Sequence, residues 1–181
     1  TLADGHLTVR LRGSAGQSLG AFLCKGIKLE VFGDANDYVG KGLSGGIITV
    51  RTTVSSPLSS KDNTIIGNTV LYGATSGKLF AAGQAGERFA VRNSGAEGVV
   101  EGCGAKRCGY MTGGMAFILD DDGSFPTRAN PESIVWQRLE STHWEAELKA
   151  LIAQHAVATD SKWSNTILDD WDRWRRYFWQ V

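Results

Sequence analysis

Gly33-Asp-Ala-Asn-Asp-Tyr-Val-Gly-Lys-Gly-Leu-Ser-Gly-Gly46 runs directly into Ile47-Ile-Thr-Val50. Glycine supplies backbone at φ > 0 and room for close approach of a neighbouring chain, whereas β-branched residues favour a strand. The same join, glycine and then a short strand-like run, recurs along the chain. It precedes Ile27-Lys-Leu-Glu-Val-Phe32, Lys78-Leu-Phe-Ala-Ala82, Gly98-Val-Val-Glu101 and Met115-Ala-Phe-Ile-Leu119. The glycines keep step: Gly26 to Gly45 is 19 residues, Gly77 to Gly95 is 18, and Gly95 to Gly114 and Gly83 to Gly102 are each 19. Gly45 to Gly77 is longer, at 32, because the polar segment 52–63 reads as an insertion bulging from one turn of the repeat.

A fixed period near 20 residues is the mark of a solenoid. No period holds a stretch long enough for a helix, so helical and leucine-rich repeats fit poorly. At about 3.3 Å per extended residue, 19 residues make a closed coil of roughly 60 Å perimeter. That suits a β-helix rung with short strands and tight corners, and the reading is a parallel β-helix of five or six rungs. Glycine is expected at equivalent corners of successive rungs, at Gly26, Gly33, Gly45, Gly46, Gly77, Gly83, Gly95, Gly102, Gly113 and Gly114.

The character changes near residue 123, which divides a repeat domain, 1–123, from a helical tail, 124–181. Asn130 and Pro131 are suited to the start of a helix, with Leu139, Leu148, Leu151, Ile152 and His155 following at helical spacing. Asp160 or Ser161 is expected to cap a last helix bearing Ile167, Leu168, Trp171, Trp174 and Phe178 on one face. All six Trp lie in this tail. It is expected to pack on or cap the solenoid, since an open terminal rung needs cover.

Composition narrows the function. Of the 181 residues, Lys plus Arg and Asp plus Glu are both 19, a balance that argues against nucleic acid or a charged membrane as partner. No apolar run approaches the roughly 20 residues of a membrane helix. Thr1-Leu-Ala-Asp-Gly-His6 lacks an initiator Met and the basic and apolar regions of a signal peptide, so the chain reads as a piece of a longer cytoplasmic protein. Three cysteines, Cys24, Cys103 and Cys108, fit a reducing compartment better than a disulfide scaffold.

Candidate chemistry is sparse. Cys103-Gly-Ala-Lys-Arg-Cys108 lacks the second ligand pair that zinc wants, and reduced thiols are the better reading. Asp34, Asn36 and Asp37, and the run 120–122, could suggest calcium or a polysaccharide-cleaving site. Both sit at expected turns, where Asp and Asn bond their own backbone. Glu87, Arg88 and Arg92 are expected to pair along the stack or at a domain contact. No phosphate loop occurs.

Gly13-Ser-Ala-Gly-Gln-Ser18, Gly33 through Gly46, Ile66-Gly-Asn-Thr-Val-Leu-Tyr-Gly-Ala-Thr75, Ala85-Gly-Glu-Arg-Phe-Ala-Val-Arg-Asn-Ser-Gly95 and Tyr110-Met-Thr-Gly-Gly114 strongly resemble the C-terminal Gly-X-Gly-X-Gly domain of the glutamate synthase large subunit. The tail, from Leu151-Ile-Ala-Gln-His155 to Phe178, is similar to that subunit's end. The resemblance implies a right-handed β-helix beside glutaminase and FMN-binding synthase domains, in an enzyme that moves the glutamine amide nitrogen to 2-oxoglutarate. It implies no catalytic, cofactor or metal residue here, FMN and the iron–sulfur cluster belonging to other domains. One departure stands out: Tyr110–Gly114 runs straight into Met115, where the family carries a further rung. About one rung is absent, as in a naturally short member or an engineered deletion. Alternatives are a free-standing β-helix enzyme or a subunit like that of formylmethanofuran dehydrogenase. Exposed rung ends and Trp faces leave the fragment a route to self-association.

Overall fold

The computed structural model describes residues 2–53, 55–103, 115–129, 131–132 and 134–181. Eight-residue strands β1 (Leu7–Ser14), β2 (Ile27–Asp34) and β3 (Ser44–Arg51) are followed by β4 (Thr64–Ile66), β5 (Ser76–Ala85) and β6 (Glu97–Cys103). Five of them stack in parallel in the order β1-β2-β3-β5-β6, while β4 pairs with the far end of β5. The register reads Leu7↔Ile27, Lys28↔Ile47, Ile47↔Lys78 and Lys78↔Glu97, steps of 20, 19, 31 and 19 residues. The chain is a solenoid of about five turns. Its one long step holds the insertion, which ends in a 3-10 turn at Ser60–Asp62.

Alternation along each strand sends one set of side chains inward. Val31, Ile48, Val50, Leu79 and Ala81 are buried there, with Val39, Leu43, Ile66, Val70, Leu71 and Ala74 from the other sides of the coil. The interior is filled with side chains. The outward set forms rows across the rungs: Arg10–Glu30–Thr49–Phe80–Val99 and Arg12–Phe32–Arg51.

The corner that carries the Gly-Lys-Gly of rung two has a specific backbone geometry. Every second residue is left-handed: Ser18, Gly20 and Phe22; Tyr38, Gly40 and Gly42; Thr69, Leu71 and Gly73; Arg88, Ala90 and Arg92. The alternation turns backbone N–H groups alternately up and down the stack. Ser18, Tyr38 and Thr69 donate to Asp37, Asn68 and Glu87 of the following rung, whereas Gly40, Leu71 and Ala90 donate to Leu19, Val39 and Val70 of the preceding one. Glycine is the natural residue for this geometry, and side chains there cost roughly 1–2 kcal/mol each. The last described corner, Arg88-Ala90-Arg92, holds it with no glycine at all.

Among the repeat glycines, Gly26, Gly45, Gly77 and Gly95 stand at the strand-entry corners, and Gly33, Gly83 and Gly102 in the far halves of β2, β5 and β6. Gly46 lies in β3 against Leu23. At Gly33 a Cβ would stand 2.2 Å from the carbonyl oxygen of Gly13; the rungs approach too closely there for any side chain. Gly113 and Gly114 lie outside the described residues.

The tail departs from expectation in three places. The Met115–Leu119 run forms β7 (Phe117–Leu119), but β7 does not join the stack. It pairs antiparallel with the C-terminal strand in a separate three-stranded sheet. A short helix α1 (Phe125–Arg128) follows, and Pro131–Glu132 then form a turn rather than opening a helix, Asn130 lying outside the described residues. Gln137–Arg138 are instead drawn into that sheet as β8. Helix α2 (Thr142–Thr159) begins only after Ser141, whose hydroxyl accepts from the Trp144 N–H. Asp160 ends α2 in left-handed geometry, and Ser161 caps α3 (Lys162–Asp169) by accepting from Ser164 N–H at 3.0 Å. The chain then breaks at Asp170, forms α4 (Trp171–Trp174), and places Phe178 in β9 (Phe178–Gln180) rather than on a helix. The place between β7 and β8 offers Phe178–Gln180 backbone pairing on both sides, which outcompetes another helical turn. A second core results, around Leu139, Leu148, Ile152, Ile167, Trp171 and Phe178.

Candidate functional site

The densest polar cluster lies between solenoid and tail. Helix α2 rests on the outward face of β3, β5 and β6. Alternation along β6 sends Glu101 outward, into that contact, where its side chain is 2% exposed. Glu101 Oε1 accepts from His155 Nε2 at 3.2 Å and from the Ser161 hydroxyl; Ser60, from the insertion, stands near enough to help lower the carboxyl's pKa. A carboxylate only accepts, so the His155 tautomer facing it carries its proton on Nε2. Burial by itself would raise the Glu101 pKa. His155, Ser161 and Ser60 together outweigh it and hold the carboxyl below its ordinary 4.5.

Around this centre the contacts fasten one element to the next. Arg51 of β3 donates to the Thr159 carbonyl at 3.0 Å, and Lys78 of β5 to Gln154 at 2.7 Å. The Phe80 and His155 rings lie 6.1 Å apart, and Lys61 of the insertion sits 4.6 Å over the Trp163 ring. Among the described residues of this contact, Glu101 Oε2, His155 Nδ1 and Thr49 Oγ1 are buried without a hydrogen-bond partner. Thr49 lines a cavity of about 140 Å³ with Glu30, Phe32, Arg51 and Ala158.

Serine, histidine and acid stand together, but the wiring is not that of a nucleophile. In a catalytic triad the serine hydroxyl donates to the imidazole, which takes its proton. Here both Ser161 and His155 donate to the carboxylate, and the Ser161 oxygen is occupied as the cap of α3. The arrangement clamps two structural units through one buried charge.

The sequence-derived candidates take structural places. Asp37 Oδ1 accepts from the Asn68 N–H and side-chain amide, and Asn68 in turn accepts from the Glu87 N–H, a ladder up the corner. Both Asp120 oxygens are occupied, by Phe125 N–H and Trp179 Nε1, each at 2.9 Å. Arg92 bonds the Tyr72 hydroxyl at 3.1 Å, a cross-rung contact. Cys24 is exposed, Cys103 is half-buried, and Cys108 lies outside the described residues. Among the described residues no three His, Cys, Asp or Glu groups converge as metal ligands. No helix there is long and apolar enough to cross a membrane. Sequence reasoning missed Glu101, which it read only as the end of a strand. The one signal was an acid on the outward row of a strand whose neighbours on that row include Phe80 and Val99.

Comparison with known proteins adds the family. The model of the GXGXG motif family matches residues 1–116 and again 111–181, two matches that overlap at 111–116. The chain is 60% identical to the glutamate synthase [NADPH] large chain of Azospirillum brasilense, covering 99% of this chain and 13% of that protein. It is 47% identical to the ferredoxin-dependent glutamate synthase of Pyropia yezoensis and 43% to ferredoxin-dependent glutamate synthase 2 of Synechocystis, over 98% of this chain and 13% of each relative. The chain thus spans about an eighth of these relatives' length. The first alignment runs over 199 positions, more than the 181 residues present here. The family model thus covers the chain from residue 1 to residue 181, and the chain belongs to the GXGXG motif family.

Proposed function

We propose that this chain is a structural and interaction domain of a glutamate synthase large chain, silent in catalysis by itself. In this reading it holds the glutaminase and FMN-binding synthase domains of a cytoplasmic enzyme in place. The observation that carries the reading is 60% identity over 99% of this chain to a protein of whose length the match covers 13%. A solenoid interior filled by side chains, and a serine–histidine–acid cluster wired as a clamp, are further support. Glutamine, 2-oxoglutarate, FMN and the iron–sulfur cluster are handled by other domains. The overlapping family matches and the longer alignments support a chain about one rung short, and one rung less would move any docking surface beyond it by about 4.8 Å. The test is direct. The purified chain is assayed for glutamine hydrolysis and for glutamate formation from glutamine and 2-oxoglutarate. No turnover above background is expected; turnover that scales with protein would overturn the reading.

A further inference from the structure

The first rung carries an unfinished ladder. Val9 stacks on Leu29, Ile48 and Leu79, and Leu11 on Val31, Val50 and Ala81. Ile48, Leu79 and Val50 are fully buried, yet Leu7, Val9 and Leu11 are 54%, 36% and 37% exposed. These are inward-facing side chains at the open mouth of the coil. Among the described residues strand β1 also pairs on one side only. Leu7 N–H donates to Gly26 and Ala15 N–H to Asp34, so odd-numbered residues bond the second rung. The N–H and carbonyl groups of Thr8, Arg10 and Arg12 therefore point out of the free edge. A flat, apolar, unpaired edge of this length is a template for another strand.

The sequence of β1 selects the occupant. Leu7-Thr-Val-Arg-Leu11 reads with the same polar and apolar alternation in both directions about Val9. We propose that two copies of the chain pair antiparallel through β1 about a two-fold axis at Val9. In this register Leu7 faces the partner's Leu11 and Val9 the partner's Val9. The edge-pointing Thr8 and Arg10 face each other as hydrogen-bonded pairs, as the backbone parity requires. The neighbouring registers are worse. Moving the axis to Arg10 sets two guanidinium groups directly opposite, which is unfavourable, and moving it to Thr8 puts Leu11 opposite Gly5. In the Val9 register Arg10 keeps its own Glu30, at 2.8 Å, and Arg12 faces the partner's His6, two residues from the acidic Asp4. An axis perpendicular to the sheet leaves each interior on the same side, so the two open mouths meet and close each other. The interface is isologous.

The register makes the test specific. The 181-residue chain, with the exposed Cys24 changed to Ser, is examined by light scattering after size exclusion and by disulfide trapping. The expected mass is twice 19.5 kDa, and Val9→Lys should return it to the single-chain mass with an unchanged far-UV spectrum. The control Val157→Lys, on an exposed face of α2, should leave the pair intact. A non-hydrogen-bonded antiparallel pair brings Cα atoms to about 4.5 Å, within disulfide range. Val9→Cys should therefore cross-link to itself under mild oxidation. Leu7→Cys should not, but should cross-link when mixed with Leu11→Cys. A single-chain mass at every concentration overturns the proposal. So do a pair that survives Val9→Lys, heterogeneous aggregates, or Leu7→Cys cross-linking to itself as readily as Val9→Cys.

Discussion

Replacing His155 with Ala should loosen the helical tail from the solenoid by about 3–5 kcal/mol, the sum of a lost hydrogen bond to a buried carboxylate and the space vacated by the ring. The imidazole is fully buried and its Nε2 lies 3.2 Å from Glu101 Oε1. A hydrogen bond to a charged group contributes about 1.5–3 kcal/mol, and the space left behind adds a cavity term of about 2 kcal/mol. For a chain of this size, each kcal/mol moves the midpoint by roughly 2–4 °C, so Tm should fall by about 6–20 °C. The assay is urea unfolding followed by two signals. All six Trp lie in the tail, so indole fluorescence reports that unit, while protection of the β1–β6 backbone amides against hydrogen exchange reports the solenoid. The fluorescence transition should move to lower urea and separate from the loss of amide protection. The pH dependence supplies an independent arm. The Glu101 carboxyl is held below its ordinary value in the folded state. Its contribution is therefore fully present above about pH 5 and is lost as pH falls through the folded pKa. In Glu101→Gln that acid limb should flatten. A His155→Ala loss under about 0.5 kcal/mol, the level of an unremarkable surface change, would refute the clamp, as would an acid limb that Glu101→Gln leaves unaltered.

Ser161 serves both as cap of α3 and as a donor to Glu101, so Ser161→Ala should cost about 1–3 kcal/mol by thermal melts. Ser161→Asp, ordinarily a good cap, should cost more than Ala because it sets a second carboxylate against the first. Gly33→Ala should prevent accumulation of folded protein, or lower stability by more than about 3 kcal/mol, because its Cβ meets the Gly13 carbonyl. Gly73→Ala, with open space but φ of +64°, should cost only about 1 kcal/mol in the same denaturant series. Arg88 is exposed and left-handed, with φ of 59°, so Arg88→Gly should raise stability by about 1 kcal/mol, read as a shift in urea midpoint.

The architecture was legible because a solenoid repeats in the sequence the same local decision. A glycine spacing of 18–19 residues recurs as a strand register of 19–20, and the polar segment 52–63 matches the one long step. Period and residue type determine each rung, since its strand pairs only with the rungs before and after it. The same local reading recognised Ser161 as a cap but passed over β1, although Gly5 precedes Leu7 at the same offset at which Gly95 precedes Glu97. It misassigned Met115–Leu119, Pro131–Glu132 and Phe178. Apolar runs say that a segment is buried; they do not say which edge it pairs with, and the partner of β7 lies some sixty residues further along the chain. The clamp shows the limit most plainly. Glu101, His155, Ser161 and Ser60 come from a strand, a helix, a cap and an insertion. Nothing in their spacing joins them, and only the docking of the tail on the outward face of β3, β5 and β6 brings His155, Ser161 and Ser60 to the one buried carboxylate of Glu101. The sequence by itself determined the repeat, its corners and its family resemblance, all of which rest on contacts between neighbouring rungs. Tertiary structure alone decided how the tail is held, because that depends on long-range pairing and on the desolvation of a charge.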